Sequence, residues 1–188
     1  MSELIRPHHS LTVEEYLELE ETAEIRHEYV GGNVYAMTGA TKRHNRIAGN
    51  IYRRLADAAE DGPCRVYVEG VKLRVASDVV YYPDVLVACG PDNDPLIEDD
   101  PCLVVEVVSP TTETVDRREK FLAYRQLPNL QAYLIVSQDR RWIEHHFRDE
   151  GSEWRRDDIV EEGSFFVPCP PGARLMLDDV YRGLEGAP

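Results

Sequence analysis

The sequence predicts an α+β fold around one mixed sheet, and three observations carry that expectation. A helix-period segment over residues 42–60 precedes a run of Val-, Tyr- and Leu-rich strands between residues 64 and 108. A second helical stretch, from about Thr114 to Gln126, leads straight into another apolar strand at residues 131–136. The 188-residue length, with 43% hydrophobic and 30% charged residues, fits one folded domain over 1–188. Its core runs over about 11–147, with a β/α extension over 148–188.

The elements follow from local signals. Thr12-Val-Glu-Glu15 is a capping box that opens a short acidic helix to about Glu21. Residues 26–35 read as two strands joined by the two-residue turn Gly31-Gly32. In the next helix Ile47, Ile51 and Leu55 recur at spacing four, and Asp61-Gly62-Pro63 stops it. Strands are expected at 64–69, 71–75, 79–82, 84–88 and 102–108, with the acidic loop 90–101 before the last. After the second helix, strand 131–136 and the Asp139-Arg140 turn lead to strand 142–147. The tail signals a strand near 165–167 and a short helix after Leu177.

Charge limits the function. Asp and Glu number 35 against 21 Lys and Arg, a formal charge of −14. That balance opposes coating nucleic acid or an anionic membrane by bulk attraction. It permits a local basic groove, or a metal that reverses the charge of a site. No apolar run approaches the ~20 residues needed to span a bilayer, and the first residues lack the apolar region of a secretory signal. Cys64, Cys89, Cys102 and Cys169 form no CxxC pair and lie far apart, so neither a zinc knuckle nor a disulfide framework is signalled. A reduced cytoplasmic protein is the resulting expectation.

The chemistry centres on two acids. Glu106 interrupts Leu103-Val-Val-Glu-Val-Val108, a strand whose apolar run is normally covered on both faces. A carboxylate there must be paired, protonated, on a metal or at a strand end that reaches solvent. Asp84 heads another apolar strand after Pro83; alone it reads as a turn former. Two acids on two apolar strands, 22 residues apart, shift the reading. Adjacent strands lie roughly 4.8 Å apart, so both side chains could hold one hard cation. The following helix offers Asp116, Lys120 and Tyr124 on one face, which by itself is an ordinary surface pair. Glu28 before the glycine turn and His44 at a helix start are weaker candidates, since such residues commonly cap or face solvent. His145 and His146 are strand neighbours pointing to opposite faces and share no ion easily.

These residues resemble the PD-(D/E)XK nuclease superfamily and, more closely, its Uma-type restriction-endonuclease branch. The resemblance rests on Arg26-His-Glu-Tyr-Val-Gly-Gly32, the Met37–His44 stretch, Tyr82-Pro-Asp-Val85, Val105-Glu-Val-Val-Ser-Pro-Thr111, Asp116-x-x-x-Lys-x-x-x-Tyr124 and Leu130-Gln-Ala-Tyr-Leu-Ile-Val136. It implies a restriction-endonuclease-like αβββαβ core, a mixed sheet flanked by helices, with Asp84 and Glu106 binding Mg²⁺ or Mn²⁺ and Glu28 as a further acid. The superfamily's lysine stands two residues after the glutamate, where this chain has Val108. The Uma-type branch supplies it from the following helix, here Lys120. The reaction implied is metal-assisted hydrolysis of DNA phosphodiester bonds, with Lys120 orienting a water. Ser109 and Tyr124 are placed to support the site or a substrate phosphate. Arg46, with Arg43, Arg53 and Arg54, forms the one dense basic stretch, a candidate phosphate contact.

Two other readings stay open. One is a nuclease-fold binding or assembly module without turnover, motivated by the charge and by Val108. The other is a metal-dependent hydrolase of a small phosphorylated molecule. A homodimer is expected on general grounds, and no membrane partner.

Overall fold

Thr12 caps the first helix as its sequence demands, with the Thr12 hydroxyl accepting the Glu15 amide and the Glu15 carboxylate accepting the Thr12 amide. The computed structural model describes residues 10–37, 39–109 and 116–184, with Asp116 and Arg117 described in backbone only. Helix α1 (Val13–Thr22) leads into the hairpin β1 (His27–Val30) and β2 (Asn33–Ala36). Gly31 and Gly32 make the turn at φ 56° and 86°, the left-handed values a two-residue hairpin turn requires. A Cβ on Gly32 would also lie 2.4 Å from that of Ser10.

Helix α2 (Lys42–Ala59) buries Ile47, Ala48, Ile51, Leu55 and Ala59 along one stripe. Strands β3 (Arg65–Val68), β4 (Lys72–Ala76), β5 (Val79–Tyr81), β6 (Val85–Ala88), β7 (Ile97–Glu98) and β8 (Leu103–Val108) follow. The second helical stretch is a π-helical turn, Asp116–Lys120, running into an α-helical one, α3 (Phe121–Tyr124). The chain closes with β9 (Ala132–Ser137), β10 (Trp142–Arg148), β11 (Trp154–Val160), β12 (Ser164–Phe166), β13 (Arg174–Met176) and α4 (Leu177–Val180).

The strands do not make the single sheet the sequence predicts. They divide into a six-stranded sheet of order β11-β10-β9-β8-β6-β3, a five-stranded sheet of order β2-β1-β5-β4-β7, and the hairpin β12-β13. The β4–β5 hairpin leaves the chain's meander to join β1, so β3 pairs with β6 instead of with β4. The αβββαβ core is therefore α2, β3, β6, β8, the π/α3 crossover and β9, with β8 and β9 parallel. One face of the larger sheet packs on α2, β13 and α4 through Val85, Val87, Leu103, Val105 and Val107. The other packs Leu86, Val104 and Val108 against Leu73 and Tyr81 of the smaller sheet and Tyr124 of α3. Both faces of β8 are covered, as its apolar run implies.

The cysteine reading is corrected as well. Cys64 is bonded to Cys89 and Cys102 to Cys169, over sequence separations of 25 and 67. The spacing shows none of this because the cysteines flank β3, β6 and β8 and the β12–β13 connection, which only the folded sheet gathers.

His145 and His146 do point to opposite faces of β10. The His146 ring lies against Phe121 and bonds Glu144, while His145 lies between Phe147 and Phe165. Burial, with a smaller push from His146, drives the His145 pKa down to about 4 from its ordinary 6.5. The unfolded chain therefore binds a proton near pH 6.5 that the folded chain refuses until about pH 4, so stability falls as pH drops through that window. The shift corresponds to about 3 kcal/mol. His145→Phe should flatten the stability–pH curve there, measured by urea unfolding at pH 7 and pH 4.5; an unchanged pH dependence would refute the buried-neutral assignment.

Candidate active site

The β6–β8 register sets the centre of the site. Val85 pairs with Val105, so Asp84, one residue before β6, stands opposite Glu106. Asp84 is tied at one oxygen: Oδ2 accepts the Val107 amide at 2.7 Å and lies 3.1 Å from His44 Nε2. Oδ1 bonds to no other described residue, and the side chain keeps 15% of its exposure. His44 is presented by the start of α2, where the Thr41 hydroxyl caps its amide at 3.1 Å. Burial pushes the His44 pKa down, but the hydrogen bond and charge of Asp84 outweigh it and hold it above the ordinary value.

Glu106 is 5% exposed and faces the smaller sheet. Its Oε1 accepts the Tyr124 hydroxyl at 2.7 Å and the Lys120 ammonium at 3.1 Å. Lys120, 7% exposed, also lies 2.8 Å from Glu28 Oε1 on β1. Its ammonium sits 5.2 Å from the Tyr81 ring centre, over a π-face that favours cations. Burial and the charge of Glu106 push Tyr124 well above its ordinary pKa, so the phenol stays a proton donor to that carboxylate. Burial and Glu28 likewise raise Tyr81 to about 12. Glu28 of β1 and Glu106 of β8 thus flank one buried ammonium, while Asp84 at the β6 entrance, opposite Glu106 in the register, holds one histidine.

The structure brings Glu28, Glu106, Lys120 and Tyr124 into one contact group and Asp84 with His44 into another, and the β6–β8 register sets Asp84 opposite Glu106. Ser109 stands one residue past β8, half-buried. Arg46 is apart from the carboxylates: it lines a groove of about 500 Å³ on α2 with Lys42, Asn45, Gly49, Asn50 and Arg53. Arg43 and Arg54 are taken by structure instead, Arg43 by the Gln138 carbonyl and Arg54 by Asp179 at 2.7 Å. Sequence reasoning missed Tyr81, whose only signal was an aromatic one residue from the Tyr82-Pro-Asp-Val segment.

A hard cation fits this donor set. The described carboxylate and histidine atoms make no three-ligand cage. Two carboxylates at opposed positions of adjacent strands, one with an unengaged and partly exposed oxygen, are compatible with the way Mg²⁺ is commonly held, by one or two acids with water and substrate oxygens completing the shell.

An αβββαβ sheet with paired acids on adjacent strands and a lysine buried against one of them defines a restriction-endonuclease-like protein. The chain belongs to the Uma2 family, described as "Putative restriction endonuclease", whose model matches residues 13–178. It is 34% identical to "Uncharacterized protein slr1290" of Synechocystis, covering 95% of each chain. It is 31% identical to "Uncharacterized protein sll1609" of the same organism, covering 82% of this chain and 90% of that one. The crystal structure of a putative nuclease belonging to DUF820 from Anabaena variabilis matches with a TM-score of 0.73 at 16% identity, covering 91% of this chain and 97% of that one. Among the described residues, no helix is long and apolar enough to cross a membrane.

Proposed function

We propose that this protein is a metal-dependent endonuclease that hydrolyses DNA phosphodiester bonds. The observation that carries the reading is the Lys120 ammonium held between Glu106 and Glu28 next to the Asp84–Glu106 pair. Asp84 and Glu106 would hold Mg²⁺ or Mn²⁺, which when bound polarises a phosphoryl oxygen and lowers the pKa of a bound water. Lys120 orients the attacking water and offsets the negative charge that builds on the phosphorane-like transition state. Tyr124 and Glu28 hold Lys120 and Glu106 in register, and His44 holds Asp84 by one oxygen so that the other stays available.

The groove on α2 supports the choice of a polyanionic substrate. Lys42, Arg46 and Arg53 line it, and the same helix delivers His44 to Asp84, so a strand lying along the groove would run toward the acids. With a net charge of −14, unaided binding is weak and strongly salt-dependent. Arg46→Gln and Arg53→Gln should each weaken binding with little dependence on sequence and reduce the log–log salt slope by about 1. Fluorescence anisotropy of a labelled duplex across a salt series measures this; an unchanged slope in both variants removes the groove from the interface.

The direct test is cleavage of plasmid and single-stranded DNA in Mg²⁺ or Mn²⁺, with and without chelator. Metal-dependent nicking is the expected result. Intact DNA together with turnover of a nucleotide monophosphate panel would instead favour the small-molecule hydrolase. DNA bound without any cleavage would favour the binding module.

A further inference from the structure

The four cysteines converge at the end of the large sheet away from the carboxylates. Cys64 directly precedes β3, Cys89 directly follows β6, Cys102 directly precedes β8, and Cys169 lies between β12 and β13. Asp84 and Cys89 bracket the same strand, so the two sites lie about 16 Å apart along it. Cys64, Cys102 and Cys169 are buried and Cys89 is half-buried.

The two disulfides are not separate. Cys89 Sγ lies 3.3 Å from Cys102 Sγ and 3.4 Å from Cys169 Sγ, so the sulfurs of one bond touch those of the other. Those of Cys64, Cys89 and Cys169 all fall within 4.8 Å of one another. Two bonds that merely staple loops have no reason to share one spot. A tetrahedral cage of thiolates at a Zn–S distance near 2.3 Å has sulfur–sulfur edges of about 3.8 Å; Cys64, Cys89 and Cys169 already lie near that spacing, and Cys102, beside Cys89, completes the set by turning its side chain toward Cys64. Four sulfur donors with no oxygen or nitrogen among them select a soft tetrahedral ion over Mg²⁺ or Ca²⁺.

We propose that the reduced form of this cluster is a structural zinc site made by Cys64, Cys89, Cys102 and Cys169, and that the two disulfides are its metal-free oxidised form. Reduction by a dithiol breaks both S–S bonds. Each bond takes two electrons and two protons from one dithiol, which becomes its own disulfide, and four protein thiols result. Binding Zn²⁺ then displaces the thiol protons to solvent as four Zn–S bonds form. The ion ties the β12–β13 connection to the entrances of β3 and β8 and the exit of β6. It takes no part in the chemistry at Asp84 and Glu106, and the proposal stands independently of the nuclease reading.

The test uses the full chain reduced with a phosphine, desalted without oxygen and titrated with Co²⁺ as a spectroscopic stand-in for zinc. One equivalent of Co²⁺ should produce an intense thiolate-to-cobalt charge-transfer band with tetrahedral d–d bands, and one equivalent of Zn²⁺ should bleach them. The oxidised chain should give neither, and Asp84→Asn/Glu106→Gln should give both unchanged. Cys89→Ser should weaken the charge-transfer band; if that variant misfolds, the reduced and oxidised wild-type chains, matched by circular dichroism, decide alone. Reduced wild-type protein without a charge-transfer band, or the same cobalt spectrum in the oxidised chain, overturns the proposal.

Discussion

Glu106→Gln is expected to reduce metal-dependent DNA cleavage by on the order of 10³-fold while the protein remains folded. Glutamine keeps the volume of the side chain and retains an oxygen that can accept the Tyr124 hydroxyl, which now lies 2.7 Å from Oε1. What it removes is the negative charge that stands opposite Asp84 across the β6–β8 register. A cation held by these two acids, as proposed, would lose half of its anionic ligands, and Lys120 loses one of the two carboxylates beside its ammonium. Nicking of supercoiled plasmid in Mg²⁺ measures the effect, with circular dichroism as the folding control. Cleavage at the wild-type rate would take Glu106 out of the mechanism and the carboxylate pair with it.

The second large effect is expected from Lys120→Met, which separates the lysine's two roles. The methionine side chain is of similar length and can follow a similar path toward the Tyr81 ring, so packing changes little. The ammonium, however, is the cation beside both Glu28 and Glu106, each mostly buried. Removing one partner of a buried ionic cluster typically costs about 3 kcal/mol, because the remaining charges keep their desolvation penalty. Urea unfolding should show that loss, and Mg²⁺ should restore more stability to Lys120→Met than it adds to the wild-type chain, since a divalent ion can supply the missing positive charge. Cleavage should stay low, by on the order of 10²-fold, even with Mg²⁺ present. Lys120→Arg keeps the charge and should recover stability better than activity, because a planar guanidinium cannot occupy the ammonium's position. If Lys120→Met were as stable and as active as the wild type, the lysine would be an ordinary surface-type pair that happens to be buried.

Local signals were enough for most elements. The capping box at Thr12, the glycine pair at 31–32 and the spacing-four stripe of Ile47, Ile51 and Leu55 each translate into the element they announce, because each depends on neighbours within about a turn. Strand β11 was unreadable for a physical reason. Among the described residues Trp154-Arg-Arg-Asp-Asp-Ile-Val160 pairs with β10 alone, at the sheet's edge, and faces solvent along most of its length, so charge replaces apolar alternation. The two-residue β7 exists only through its parallel pairing with β4. The helix expected from about Thr114 to Gln126 starts outside the described residues, and its described part is a π-helical turn, Asp116–Lys120, followed by the α-helical turn Phe121–Tyr124. The α-helical spacing of four from Lys120 to Tyr124 sets both on the same Glu106 oxygen.

The site divides in the same way. Glu106 was legible because a carboxylate inside Leu103-Val-Val-Glu-Val-Val108 has to be compensated wherever that strand is buried. Asp84 was legible by its similar setting. Glu28 and His44 were ambiguous, since nothing local distinguishes a glutamate near a hairpin turn or a histidine near a helix start from a surface group. Their places depend on the smaller sheet docking on the larger and on the cap of α2.

The sequence by itself therefore determined the class of fold, the order of its helices and of all strands but β7, β11 and β13, and the two acids that burial obliges to find a partner. These are consequences of short-range pattern and of the free energy of a charge in an apolar strand. Only the tertiary structure decided that the strands split into two sheets, that Lys120 reaches Glu106 and Glu28, and that four dispersed cysteines meet at one point. Those facts rest on contacts between residues far apart in the chain, which arise from how faces pack and not from any pattern along it.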